Sequence, residues 1–251
     1  SPQNKSTQLY PSFRARGHGK EESLRLLKNE LAALFGIRID GAVGFGTAAL
    51  RKGVDLLGGV TLTVPGDLSV TGEDGERTVI LPAGEHTLDG AAAETFVRYR
   101  EGYVLGDVGR MDAQKLFLSA FFRRAKERVG ADTVLGFLRV MREEVVTDLS
   151  FTDAAGLALR RFPTFRECKL RYLTLPGQSA RGASGLWYYA ANLAGVREVA
   201  QRYLFAHAAP DGEGRLTDPQ AIAIDNVYHD TGLSYRVYGE EELADLSIAK
   251  K

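Results

Sequence analysis

The stretch Thr47–Pro65, TAALRKGVDLLGGVTLTVP, changes its hydrophobic period halfway along. Up to Leu57 the apolar residues Leu50, Val54 and Leu57 fall on one face at helical spacing; from Gly59 onward Val60, Leu62 and Val64 alternate with threonine until Pro65. Three- and four-residue spacing lines one side of a helix, and strict alternation lines one side of a strand. Proline cannot donate to a strand ladder, so Pro65 closes it. A helix feeding a strand within so short a stretch points to an α/β layered domain.

Upstream, Leu24, Leu27, Leu31 and Leu34 recur among Glu and Lys until Gly36, which predicts an amphipathic helix from Lys20, followed by a short strand at Ala42–Phe45. Residues 1–19 are polar, are punctuated by Pro2, Pro11, Gly17 and Gly19, and read as an irregular lead-in. Downstream, Thr78–Leu81 lies between glycine-rich turns as a hairpin or surface excursion. Helical patterns follow over Gly90–Arg98, Gly109–Val129, Ala131–Leu149 and Thr152–Phe162. Strands at Lys169–Leu175 and Leu186–Tyr189 and a helix from about Asn192 to Phe205 complete a main body over residues 20–205. Residues 206–251 form a turn-rich extension with one strand at Leu233–Tyr238.

The chain has 251 residues, 44% apolar and 25% charged, enough for a buried core without disulfide or metal support. Its 32 basic and 32 acidic residues cancel, so the broad positive field of a nucleic-acid binder is missing and no nucleic-acid partner is expected. Arginine nevertheless outnumbers lysine 23 to 9, and guanidinium grips phosphate in a bidentate fork. Cys168 is the lone cysteine, and His18, His86, His207 and His229 are scattered, so neither a disulfide nor a histidine metal site is expected. No apolar run reaches the length of a membrane span.

Between Phe96 and Gln114 the sequence reads FVRYREGYVLGDVGRMDAQ. Arg98 and Arg100 are two apart, so on an extended backbone both address one anion. Arg110 and Gln114 are four apart on a helix and stack on one face, with Arg110 in the first turn. That turn carries unpaired N–H groups and the positive end of the dipole; it attracts phosphate, and an arginine there works against the helix. Each residue also has a structural reading. Asp107 suits an N-cap, and Arg98 with Arg100 suits a solvated helix end. From spacing alone the cluster is a candidate polyanion or pyrophosphate site.

The string FVRYR-x6-GD-x-GR-x3-Q resembles the signature of the LytR-CpsA-Psr family of bacterial cell-envelope phosphotransferases. FGIRID-x4-GF-x6-GVDLLGGVTLTVP is similar to the family's G-I-x-I-D … V-D-x-L-G-G-V-x-V-x-V-P run. LPAGEHTLDGAAAETFVRYR is similar to L-x-x-G-x-x-x-L-D-G-x-x-A-L-x-Y-V-R-x-R, and LTLPG at Leu173–Gly177 to the family's closing strand. The resemblance spans about Gly19 to Phe205.

It implies a three-layer α-β-α domain around a mixed central sheet, tethered by an upstream helix at the extracytoplasmic face of a bacterial membrane. It also implies transfer of a glycopolymer, of teichoic acid or capsular type, from a polyprenyl-pyrophosphate carrier to peptidoglycan. By the same resemblance Arg98, Arg100 and Arg110 grip the pyrophosphate, Gln114 hydrogen-bonds beside it, and Asp107 accepts the hydroxyl proton or orients an arginine. Phe117 and Phe121 either line an apolar pocket for the isoprenoid or belong to the core. The family's first strands, with their Asp-x-Arg, Arg-Ser-Asp and Pro-Arg-Asp motifs, have no match here. The Mg²⁺ that the resemblance implies would be held by acidic residues of those strands. A non-catalytic member that still binds polyprenyl phosphate or an anionic polymer is the alternative reading.

Overall fold

The computed structural model describes residues 6–35, 38–101, 103, 107–173, 175–181, 187–192, 195–196, 199 and 237–238. They fall into two compact units, each drawn from separate stretches of chain. One combines Ser1–Gly44, Val146–Leu149 and Leu173–Arg236; the other combines Phe45–Val145, Ser150–Tyr172 and Val237–Lys251.

In the first unit, α1 (Ser6–Ala15) packs against α2 (Lys20–Phe35). The lead-in expected to be irregular is therefore helical from Ser6 to Ala15, with Pro11 inside it. Proline removes a backbone donor, and packing on α2 offsets that loss, a case of tertiary context overriding local propensity. Glu21 and Glu22 occupy the first turn of α2, where the dipole favours them.

Strand β1 (Val43–Phe45) pairs with β6 (Val145–Thr147). The helix expected over Ala131–Leu149 thus stops at Glu144 as α6 (Ala131–Glu144), because Val145, Val146 and Thr147 are β-branched and suit a ladder. Beside it, Asp148 accepts from the Ala42 N–H at 2.7 Å and pairs with Lys28 at 2.5 Å. Burial pushes this carboxyl up, but Lys28 and the Ala42 N–H outweigh burial and hold it below the ordinary aspartate range. Strands β8 (Gly177–Arg181) and β9 (Trp187–Ala191) form an antiparallel pair.

The second unit contains the stretch that decides the fold. Helix α3 (Thr47–Leu56) ends in a double-glycine turn: the Gly58 N–H donates to Asp55 O at 2.9 Å and the Gly59 N–H to Val54 O at 3.1 Å. Gly58 and Gly59 both have positive φ, 70° and 93°, so this is a Schellman stop that only glycine adopts cheaply. The chain leaves it as β2 (Val60–Val64), with Val60, Leu62 and Val64 buried and Thr61 and Thr63 exposed, as the alternation predicts.

β2 pairs antiparallel with β5 (Gly84–Leu88), running from Val60 opposite Leu88 to Val64 opposite Gly84. β5, GEHTL, has little apolar alternation of its own, and its place comes from the partner strand. Between them the segment expected to be a hairpin or surface excursion is a hairpin, in which β4 (Arg77–Leu81) covers the strand read at Thr78–Leu81 and pairs with β3 (Leu68–Thr71), a strand without a local signal. The described strands pair two by two into separate two-stranded ladders.

Against the β2–β5 ladder lie α4 (Gly90–Arg98) and α5 (Asp107–Arg128), with α3 packed on α4, around a core that includes Val54, Val60, Leu68, Leu88 and Phe96. Helix α7 (Phe151–Arg161) runs on into a 3-10 turn, Phe162–Glu167. Of the strand expected at Lys169–Leu175, Tyr172–Leu173 is β7, paired with β10 (Val237–Tyr238). Most of the helix expected from Asn192, and most of residues 206–251, lie outside the described residues.

Candidate functional site

The site is built on the two ends of α4. At its N-terminus Asp89 caps the helix, its carboxylate accepting from the Ala92 N–H at 2.8 Å. The neighbouring Gly90 N–H donates to the Asp55 carboxylate of α3, also at 2.8 Å. A Cβ on Gly90 would lie 2.7 Å from Arg51 O and 2.8 Å from Arg51 Cα, so only glycine lets α4 approach α3 this closely. The Asp-Gly pair of LDG and the Asp of VDLLGG are therefore structural: they fix the start and the direction of α4.

That direction carries Arg98 into the last turn, with Ala93, Phe96 and Val97 buried on the opposite side. Tyr99 ends the helix at φ −57° and ψ 136°. It is buried, and its hydroxyl donates to Ser69 O at 2.9 Å and accepts from Ser69 N–H at 3.1 Å. Arg98 and Arg100, on either side of it, are both exposed. The extended backbone anticipated for the pair begins only at Tyr99, because Arg98 is still helical.

Arg110 and Gln114 occupy the first two turns of α5. The Gln114 side-chain amide donates to Val97 O at 3.0 Å, tying the start of α5 to the end of α4. Gly109 allows a second close approach, since a Cβ there would stand 2.7 Å from Tyr103 Cβ. Burial pushes the Tyr103 hydroxyl up to about 12, with a smaller contribution from Tyr99, whose ring meets it edge-on at 5.4 Å. The two arginine-bearing segments thus converge at one end of a packed helix pair. Asp107 is the first residue of α5, one position inside the cap expected for it, and its side chain lies outside the described residues.

Two members of the cluster went unnoticed in the sequence. Glu94 accepts from Arg98 Nη1 at 2.8 Å through one oxygen and from Arg51 Nε of α3 through the other. Arg98 first, then Arg51, hold its carboxyl below the usual glutamate range. The i,i+4 spacing of Glu94 and Arg98 was a legible signal; Arg51, 43 residues from Glu94 in sequence, gave none.

Phe117 lies in the core at 3% exposure, and Phe121 is partly buried against that core, edge-on to Phe122 and Phe137. A groove of about 220 Å³ between β2 and α5 is lined instead by Thr61, Thr63, Glu85, Leu116, Ser119 and Arg123 among others. Arg123 and Arg124 of α5 are used structurally: they donate to Thr61 O at 3.0 Å and Leu57 O at 3.2 Å.

The described residues do not fit a Mg²⁺ ion. No group of three His, Cys, Asp or Glu comes together among them, and both oxygens of Glu94 are committed to guanidiniums. Nor is any described helix long and apolar enough to cross a membrane.

A mixed α/β unit thus carries Arg98 at the end of α4 and Arg110 at the start of α5, joined by the Gln114–Val97 hydrogen bond. The LytR_cpsA_psr family profile matches residues 14–203, and the chain belongs to that family. It is 28% identical over 192 residues to the polyisoprenyl-teichoic acid–peptidoglycan teichoic acid transferase TagV of Bacillus subtilis (strain 168), covering 74% of this chain and 48% of TagV. It is 30% identical over 166 residues to TagT of the same organism, covering 65% of this chain and 49% of TagT. The chain therefore spans about half the length of these curated relatives. Among solved structures it resembles TagT bound to LIIa-WTA, with a TM-score of 0.55, 25% identity, and coverage of 79% of this chain and 70% of that one. It also shares the fold of protein gbs0355 from Streptococcus agalactiae, with a TM-score of 0.62, 18% identity, and coverage of 79% and 65%.

Proposed function

We propose that this chain binds the pyrophosphate of a polyprenyl-linked glycopolymer, of teichoic acid or capsular type, and takes part in its transfer to peptidoglycan outside the cytoplasmic membrane. The observation that supports this most directly is the Gln114–Val97 hydrogen bond. It joins the segment bearing Arg98 and Arg100 to the one bearing Arg110. Phosphoryl transfer is helped chiefly by positioning and charge neutralisation, which is what a fan of guanidiniums supplies.

In the reaction, a sugar hydroxyl of peptidoglycan attacks the phosphorus that carries the polymer. A new P–O bond forms, the anhydride P–O bond breaks, and polyprenyl phosphate leaves with the electron pair. Arg98, Arg100 and Arg110 would neutralise charge gathering on the phosphate oxygens, and Gln114 would sit beside them. Asp107, at the opening of α5, would take the proton of the attacking hydroxyl.

The test is transfer of a polyprenyl-pyrophosphate-linked polymer to peptidoglycan by the unmutated chain and by Arg98→Ala. Loss of a charge-assisted contact of this kind costs about 10- to 100-fold; an unchanged rate in the mutant rejects the site. Polyprenyl-pyrophosphate binding without turnover, even with Mg²⁺ supplied, selects the non-catalytic binding member instead.

A further inference from the structure

Glu94 is an acidic residue held against Arg98, one of the arginines proposed to bind the pyrophosphate. It is 7% exposed, at the position where the family run quoted above has leucine. A carboxylate this buried is costly unless compensated, and here two guanidiniums compensate it, one per oxygen. Their side chains remain 69% exposed for Arg98 and 53% for Arg51. Arg98 commits Nη1 to Glu94 and presents the rest of its guanidinium to solvent at the end of α4.

Resting on the reading of this cluster as a diphosphate clamp, we propose that Glu94 and Arg51 are positioning residues for it. Glu94 fixes the guanidinium of Arg98, and Arg51 keeps the carboxylate compensated so that the outer N–H groups of Arg98 stay available to the diphosphate. A long arginine side chain that binds an anion from an unrestrained state loses rotamer freedom in doing so; one already tied to Glu94 has lost it beforehand. Arg51 completes the arrangement. With Arg51 gone, Glu94 would have Arg98 as its sole counter-charge and would draw both of its nitrogens inward.

Charge alone predicts the opposite sign, which makes the idea testable. Removing a carboxylate beside an anion site should tighten binding if Glu94 acts only through its field. If it positions Arg98, removing it weakens binding despite the more favourable charge.

The probe is farnesyl diphosphate, titrated calorimetrically at fixed ionic strength into the full chain and into Arg98→Ala, Glu94→Leu, Arg51→Gln and the Glu94→Leu/Arg98→Ala double variant. Expected are a loss of about 10- to 100-fold for Arg98→Ala, about 5-fold for Glu94→Leu and a smaller loss for Arg51→Gln. The double variant should bind no more weakly than Arg98→Ala, because Glu94 acts through Arg98. Unchanged or tighter binding by Glu94→Leu overturns the proposal, as does a Glu94→Leu loss that persists undiminished without Arg98. Should Glu94→Leu fail to fold, Glu94→Gln keeps the shape and one acceptor, and the positioning role predicts a loss for it where charge predicts a gain. Unchanged binding by Arg98→Ala defeats the diphosphate reading itself, which separates the two failures.

Discussion

The two ends of α4 use charged side chains in opposite ways. At the N-terminus the carboxylates of Asp55 and Asp89 are consumed by backbone N–H groups, and Gly90 is wedged against the α3 backbone. At the C-terminus Arg98 and Arg100 stand exposed beside a buried tyrosine, and Gln114 of α5 closes on the last turn. A single sequence run, LDGAAAETFVRYR, contains both ends. Its first half is there to aim the helix, and its second half is what the helix aims. Shared motif residues therefore do not share a role, and substitutions along this one helix should divide into those that unfold the protein and those that disarm it.

The largest expected effect is at the aiming end. In Gly90→Ala the added methyl meets backbone atoms of Arg51 at 2.7 and 2.8 Å, which cannot rotate away. Separating α3 from α4 should cost about 3 kcal/mol, read as a fall in the denaturant midpoint. Asp55→Ala leaves the partly buried Gly90 N–H without its acceptor and should cost about 2 kcal/mol; Asp89→Ala, at an exposed cap, about 1 kcal/mol. If Asp89→Ala proves costlier than Asp55→Ala, the burial-based ranking within this end is broken.

The same comparison explains what could be read from the sequence. Helices α2 to α5, β2 and β4 follow from local periodicity and from Gly and Pro punctuation. Strand β5 does not, because GEHTL takes its conformation from its partner β2 across a ladder that includes a Thr61–Thr87 hydroxyl contact at 2.8 Å. Helix α1 was hidden by Pro11, and β6 by the helical run preceding it. At the site, Arg98, Arg100, Arg110 and Gln114 were legible as a charged cluster. That Gln114 holds the two segments together was not, since its partner is a backbone carbonyl with no signature in the sequence. Arg51 was invisible for the same kind of reason: it reaches Glu94 from another helix.

The smallest effects on stability belong to the exposed end. Arg100→Ala, at an exposed position that does not compensate Glu94, should shift the unfolding free energy by no more than about 0.5 kcal/mol, while weakening diphosphate binding. A large stability loss there would erase the contrast between the two ends. Acid sharpens the contrast further. The Glu94 carboxyl is held below the ordinary glutamate range by Arg98 and Arg51, so its contribution to stability is complete above that ordinary range and is lost as pH falls through the lowered folded-state value. Glu94→Leu should therefore lose less stability than the unmutated chain over that acidic interval, with the two following parallel courses above it. Parallel curves throughout the acid limb would mean that the two guanidiniums do not hold Glu94 ionised.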